Sequence, residues 1–387
     1  MAVPDWIWFV FVFAFGCCIG SFLNVVIYRL PRDKSLVTPP SACPACSRHI
    51  RFYDNIPLVS WLLLGRKCRY CKAPISPRYF VIELLTGLLF LGLFLLYFHT
   101  NLLAGMPLFL HGGWLIYLTS VVMLSAFIAA SAIDLELWLI PLSICWFVTA
   151  VGLIASALGV YIIDPADITS YALLPTTRAN FFEQGTIASL AAGATVGLAV
   201  SLLLLATGLI KRSYESADSQ ALPGQQQGPT DEQEFNHHLE ICREILFLLP
   251  IIVCSAAAYL LIGQRGWWVN FSQNPVVAGL LGSLWGYFVG CGVVWATRIF
   301  GTLAFRKEAM GLGDVHLMGA GGAVVGPILI IAAFFIAPFF GLAWVGFQMF
   351  FKKIRQIPYG PFLSLGVLVV MILHDRIFNY LNCIFYR

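Results

Sequence analysis

The stretch "WIWFVFVFAFGCCIGSFLNVVIY", Trp6–Tyr28, contains no Asp, Glu, Lys, Arg or His. It exceeds the roughly 20 apolar residues with which a helix crosses a bilayer. In lipid every backbone N–H and C=O has to be satisfied within the protein, and a helix does this inside one segment. The preceding "MAVPD" carries an acid and no base, so the window reads as a helix that is kept rather than a cleaved leader.

The same pattern recurs along the chain. Of 387 residues, 59% are hydrophobic and 11% charged, with a mean hydropathy of +0.84, more apolar than a soluble domain needs to fill a core. Apolar windows are expected as spans over 6–28, 79–98, 113–132, 136–158, 186–209, 245–263, 276–300, 315–333, 334–350 and 360–380. Pro327 and Pro338 both interrupt the run that holds the eighth and ninth. The expected fold is an all-α polytopic membrane protein of about ten transmembrane helices with a small cytoplasmic zinc-ribbon-like loop.

Its organisation reads as a first transmembrane helix (1–28), a Cys-rich loop (29–78) and a helical segment (79–158). An insertion of two extra helices with a polar linker at 211–243 follows (159–275), and a last helical segment (276–387) closes the chain. With Met1 outside, the inward segments 29–78, 211–243, 298–307 and 352–355 hold nineteen of the 23 Lys and Arg residues. That asymmetry is the positive-inside rule, so a formal charge of +4 needs no nucleic-acid partner; the expected surroundings are membrane lipid. The stretch "KRSYESADSQALPGQQQGPTDEQEFNHHLE" has a linker composition that cannot bury a core, and its adjacent His237 and His238 read as solvated.

The inward loop has chemistry of its own. Cys43, Cys46, Cys68 and Cys71 form two Cys-x-x-Cys pairs separated by 21 residues. Two turns that each present two thiolates suit one tetrahedral zinc, and on the reducing side of a membrane such a site is the natural use of four thiols. In "ISPRYFVIELLTG", Ser76 is the expected N-cap and Pro77 the first helical residue, which puts Glu83 about two turns inside an apolar helix. A carboxylate at that depth is costly, and it marks either a functional site or a structural pair with a loop Arg.

Glu83, Asp134, Glu136, Glu308 and Asp314 all adjoin apolar windows near the inner face. Asp134 in "SAIDLELWLIP" and Asp314 in "MGLGDVHL" fall at matching depth although 180 positions apart. Two carboxylates held close share a proton, so one serves as base toward water and the other as acid toward a leaving group. Gly311 and Gly313 would permit unusual backbone angles and the close approach of a peptide strand.

These segments carry a resemblance. "GSFLNVVIYRLP" (20–31), the two Cys pairs, "NIPLVSWLLLGRKC" (55–68), "ISPRYFVIELLTG" (75–87), "MGLGDVHL" (310–317) and "IPYGPFLSLG" (357–366), in that order, are similar to the bacterial prepilin peptidases, polytopic GxGD-type aspartyl proteases. The resemblance implies a catalytic pair at Asp134 and Asp314 in the inner membrane, with active site and Cys loop on the cytoplasmic side. It implies cleavage of the basic leader from type IV prepilins and type II secretion pseudopilins, after a glycine. It also implies N-methylation of the new N-terminus by S-adenosylmethionine.

The chain departs from that pattern at several places. His316 stands where relatives commonly have Lys, Leu142 replaces an acid, the loop from Pro31 to Pro39 is short, and 159–275 is added. "GAGG" at 319–322 reads as a helix-packing face rather than a nucleotide loop. Two alternative readings are a GxGD peptidase without methyl transfer, which would have no need of the four cysteines, and a non-catalytic zinc-ribbon scaffold, which would have no need of two acids at matched depth.

Overall fold

The computed structural model describes residues 4–99, 112–163, 184–211, 213, 237–350, 358–373, 376–377, 380 and 383. Among them are twelve α-helices, two isolated antiparallel bridges and no strand. The helices are α1 (Asp5–Arg29), α2 (Val59–Leu63), α3 (Pro77–Phe94), α4 (Gly113–Leu137), α5 (Leu142–Ile162) and α6 (Gln184–Ala206), then α7 (His237–Ile262), α8 (Gly266–Ser272), α9 (Pro275–Phe305), α10 (Leu312–Val325), α11 (Pro327–Phe350) and α12 (Gly360–Ile372). Eight stretches, built on α1, α3 to α7, α9 and α11, are long and apolar enough to cross a membrane. The chain is an all-helical, multi-pass membrane protein.

The count of ten windows therefore divides into eight long helices and two short ones. α10 has 14 residues and α12 has 13. At about 1.5 Å per residue each spans about 20 Å, less than the hydrocarbon thickness of about 30 Å.

Two boundaries inside apolar runs differ from the sequence reading. Helix α4 continues to Leu137 and α5 begins only at Leu142, so Asp134 and Glu136 both lie in the last turn of α4. The break expected between 333 and 334 lies instead at Gly326, whose φ of +86° ends α10 before Pro327 opens α11. Pro327 occupies a first-turn position, where its missing N–H costs nothing. Pro338 lies inside α11, which continues through it. Proline breaks a helix most cleanly where a left-handed glycine precedes it, and Pro338 has none.

The start signals act where expected. Ser76 Oγ accepts from the Arg78 amide at 3.3 Å, with Pro77 as the first residue of α3. Asn274 and Pro275 repeat the device at α9, with Asn274 Oδ1 accepting from Val276 N at 3.1 Å.

The chain divides into two compact units. One comprises Met1–Ile144, Ile162–Ser170 and Ala337–Arg387; the other comprises Cys145–Tyr161 and Tyr171–Ile336. In the first, α1 packs on α3 through glycines: a Cβ on Gly20 would sit 2.7 Å from Glu83 Cα, and one on Gly16 would sit 2.9 Å from Gly87 Cα. Small residues let backbones approach in lipid, where apolar side chains gain nothing by leaving the solvent.

In the second unit, α9 and α10 meet in the same way. A Cβ on Gly286 would run into the Gly322 carbonyl, and Gly319 faces Tyr287 and the Cys291 sulfur. "GAGG" is thus a packing face, fully buried on α10.

Helices α6 and α7, which the sequence marks as added, are joined within this unit by Ser201 Oγ donating to Phe247 O at 2.7 Å and Ser255 Oγ to Leu190 O at 2.9 Å. Both also pack on α9. Of the linker expected at 211–243, residues 212 and 214–236 lie outside the described residues, and 237–243 are not linker but the first two turns of α7.

Gly286→Val should lower the unfolding free energy by about 1–3 kcal/mol, because the added atoms meet a backbone carbonyl that cannot rotate away. Thermal unfolding in detergent checks this, and an unchanged midpoint would contradict the close α9–α10 contact.

Candidate functional site

The cysteines come together. The sulfur atoms of Cys43, Cys46, Cys68 and Cys71 all lie within 4.8 Å of one another, and Cys43 Sγ is 3.7 Å from Cys71 Sγ. Tetrahedral thiolates at about 2.3 Å from a zinc ion stand about 3.8 Å apart, so the donor set fits such an ion.

The local fold explains the fit, because one turn is used twice at an offset of 25 residues. Ala42 bridges to His49 and Lys67 to Pro74. Cys43 N donates to Arg48 O at 3.0 Å, and Cys68 N to Ala73 O at 2.8 Å. Ser47 and Lys72, one residue past each second cysteine, take φ of 54° and 60°. This left-handed residue folds each Cys-x-x-Cys back so that both thiols face one point.

The thiols are electrostatically unequal. Amides of Cys71 and then Tyr70 hold the Cys68 thiol down at about 6. The Ala73 amide pulls Cys71 down, yet desolvation and the Cys68, Cys46 and Cys43 sulfurs push it up to about 11. Four sulfurs this close cannot all be thiolates without a cation among them.

The loop is tied to itself and to α3. Arg69 grips Asp54 with Nε at 2.8 Å and NH2 at 2.6 Å, and this hydrogen bonding holds the Asp54 carboxyl below its ordinary range. Trp61 packs on Phe80 with ring centroids 4.8 Å apart.

Glu83 completes the attachment. Its carboxylate, buried in α3, accepts from the Leu58 amide at 2.8 Å. Leu58 has φ of +60°, a strained geometry for a branched side chain. The partner is a loop amide and not an Arg side chain. One helix earlier, Asn24 Nδ2 donates to Tyr79 O at 3.1 Å and fixes α1 against the start of α3.

Asp134 belongs to the first unit, in the last turn of α4, and is buried. Its Oδ2 accepts from Gly360 N at 3.1 Å, so the carboxylate sits at the N-terminus of α12, where free amides and the helix dipole favour negative charge. A Cβ on Gly360 would stand 2.7 Å from that oxygen. Ser131 Oγ, one turn before Asp134, donates to Ser364 Oγ at 3.0 Å and locks the same two helices. Gly360 is a site residue that sequence reasoning missed; its mark was the glycine of "IPYGPF". Glu136 pairs with Arg78 of α3.

Asp314 belongs to the second unit, buried in the first turn of α10. Gly311 is the N-cap of that helix with φ of −73° and ψ of 151°, and Gly313 lies within its first turn. Neither glycine takes a left-handed backbone, so the unusual angles expected there are not adopted. A Cβ on Gly311 would lie 3.6 Å from Asp314 Oδ2, an ordinary contact, so the local space around Gly311 is open. His316 turns to Tyr287, Nδ1 to Oη 3.2 Å, and lies against Trp146 with ring centroids 5.9 Å apart.

A polytopic helical protein with a tetracysteine loop and acids buried at helix ends is the class that fold and site define. Residues 14–97, from the middle of α1 through the Cys loop and α3, match the family model described as the bacterial peptidase A24 N-terminal domain. A prepilin leader peptidase/N-methyltransferase of Myxococcus xanthus is 44% identical over 135 residues, 35% of this chain and 36% of that one. The type 4 prepilin-like proteins leader peptide-processing enzyme of Escherichia coli O78:H11 is 42% identical over 160 residues, 36% of this chain and 54% of that one. A prepilin leader peptidase/N-methyltransferase of Pseudomonas aeruginosa is 37% identical over 173 residues, 38% of this chain and 53% of that one. The chain thus spans between about a third and just over half of the length of these curated relatives. No solved structure matches it.

The purified protein should contain about one tightly held zinc per chain, and Cys43→Ser or Cys68→Ser should lower that content. Elemental analysis checks it, and full retention in a variant lacking all four cysteines would sink the assignment.

Proposed function

We propose that this chain is a membrane aspartyl endopeptidase that removes the leader from prepilins or pseudopilins at the cytoplasmic face of the inner membrane. In this reading it also methylates the new N-terminus with S-adenosylmethionine. The single observation that carries the reading is Asp134: a carboxylate buried in an apolar helix, whose hydrogen-bond partner is the neutral Gly360 amide. A carboxylate at that depth is costly to keep and marks a functional site by default. The A24 match over 14–97 and the names of the relatives point the same way.

In the reaction, Asp134 and Asp314 act as one proton-sharing pair. The ionised partner takes a proton from water as its oxygen attacks the scissile carbonyl. The protonated partner then gives its proton to the departing amide nitrogen, and the pair ends with its protonation exchanged. The Gly360 amide, at the N-terminus of α12, fixes the position of the Asp134 carboxylate for this exchange.

A prepilin presents a basic leader joined to an apolar helix. Such a junction would come to rest at the inner interface without unfolding, and the positive-inside bias supports the reading that these acids face that side. Methyl transfer would move CH3 from the sulfonium sulfur to the freed α-amine, with loss of one proton. The residues that hold the methyl donor are not assigned. Cys43, Cys46, Cys68 and Cys71 would hold a structural zinc that shapes the loop and takes no part in proton transfer.

Asp134→Asn and Asp314→Asn, each correctly inserted, should lose essentially all cleavage of a prepilin in detergent, while the double variant should be hardly worse, since members of one unit are non-additive. Product mass read by spectrometry, with S-adenosylmethionine present, separates cleavage from methylation. A single Asn variant that cleaves near the parent's rate refutes the pair.

Gly360→Ala should lower the cleavage rate at least about tenfold, because the methyl displaces the Asp134 carboxylate and small misplacements at a reacting centre are costly. Steady-state kinetics with the same prepilin check this, and a parent-like rate would remove Gly360 from the site.

A further inference from the structure

Asp314 lies in the first turn of a helix whose N-cap, Gly311, has no side chain with which to fix the start. Something else has to hold the connector Arg306–Gly311 that leads into it.

α9 supplies the hold from within the same unit. Arg298 is 1% exposed and reaches the connector twice, with NH1 contacting the Glu308 carboxylate at 2.7 Å and donating to the Met310 carbonyl. One turn further on, Thr302 Oγ1 accepts from the Ala309 amide at 3.3 Å. Three successive connector residues are thus tied to one helix face, immediately before Gly311.

A guanidinium this deep needs a counter-ion that is also dry. Glu308 is 43% exposed and serves poorly. Glu244 is 4% exposed and accepts from Arg298 Nε at 2.8 Å. Its carboxylate is itself held by Trp295 Nε1 at 3.1 Å and Ser213 Oγ at 3.4 Å. Glu244 lies on α7, within the segment 159–275 that the sequence marks as added. The added helices therefore contribute a buried charge to the element that starts α10.

We propose that Arg298, with Glu244 as its buried counter-ion, is the positioning residue for Asp314, and that the added helix α7 is thereby part of the peptidase site. The proposal rests on the reading of Asp314 as a catalytic acid. It differs from a purely structural salt bridge in what it predicts once the charges are removed together. Breaking a buried pair by removing one partner leaves an uncompensated charge, whereas replacing both by apolar residues is often neutral for stability.

The test is the double variant Arg298→Met with Glu244→Met, beside the milder Thr302→Val. The double variant should insert and unfold near the parent's temperature, yet cleave a prepilin with kcat lowered about ten- to hundredfold at nearly unchanged KM, as expected when a reacting group is misplaced by about 1 Å. Amide exchange over 306–313, read by mass spectrometry without substrate, should quicken in the double variant while 316–325 keeps its protection. Thr302→Val should show the same two effects, smaller.

Unchanged kcat in both variants overturns the proposal, and so does unchanged exchange over 306–313. If the double variant fails to insert, Thr302→Val decides by the same two readouts. Because exchange is read without substrate, a parent that cleaves no prepilin would refute the peptidase reading while the exchange result still judges the clamp.

Discussion

An ionised group inside hydrocarbon has to find its solvation in the protein, and the described structure is arranged around that constraint. Its buried acids are answered in different ways. Glu83 takes a loop amide, Asp134 the amide at a helix N-terminus, and Glu244 a guanidinium with an indole beside it. Each answer joins elements distant in sequence, so the polar groups fix contacts that apolar faces alone leave free to slide. Glycines at 20, 286 and 322 separately bring the backbones of α1 and α3 and of α9 and α10 into close contact.

The two kinds of polar contact differ in consequence. A backbone amide holds a carboxylate at a fixed point of the chain, as Gly360 holds Asp134, whereas an arginine opposite a carboxylate ties two helices together through their side chains, as Arg298 ties α9 to Glu244 of α7. Glu83 is held by an amide too, the strained Leu58 amide at the root of the Cys loop.

Much of this was legible in the sequence, for definite reasons. Long apolar windows are unambiguous because lipid allows a single chain only one economical backbone, and Ser76–Pro77 marks a helix start by chemistry that needs no tertiary context. The paired cysteines declare themselves because a metal-binding turn is local and here occurs twice. What stayed hidden was non-local. Proline alone did not tell Gly326–Pro327, a break, from Pro338, which the helix absorbs; the left-handed glycine before it did. The acceptor role of Glu83 toward Leu58 depends on a backbone angle, and backbone angles are not written in residue types. Gly360 stood in a quoted motif without a role, since its partner lies 226 positions away.

The buried Arg298–Glu244 pair also constrains how such a chain could have been assembled. An arginine at that depth with only a half-exposed acid beside it is a liability of several kcal/mol, and a lone buried glutamate on α7 is no better. If α6 and α7 are an addition to the fold, as the sequence reading has it, relatives without them are expected to carry an apolar or small residue at the position of Arg298, which a comparison of their sequences can read directly.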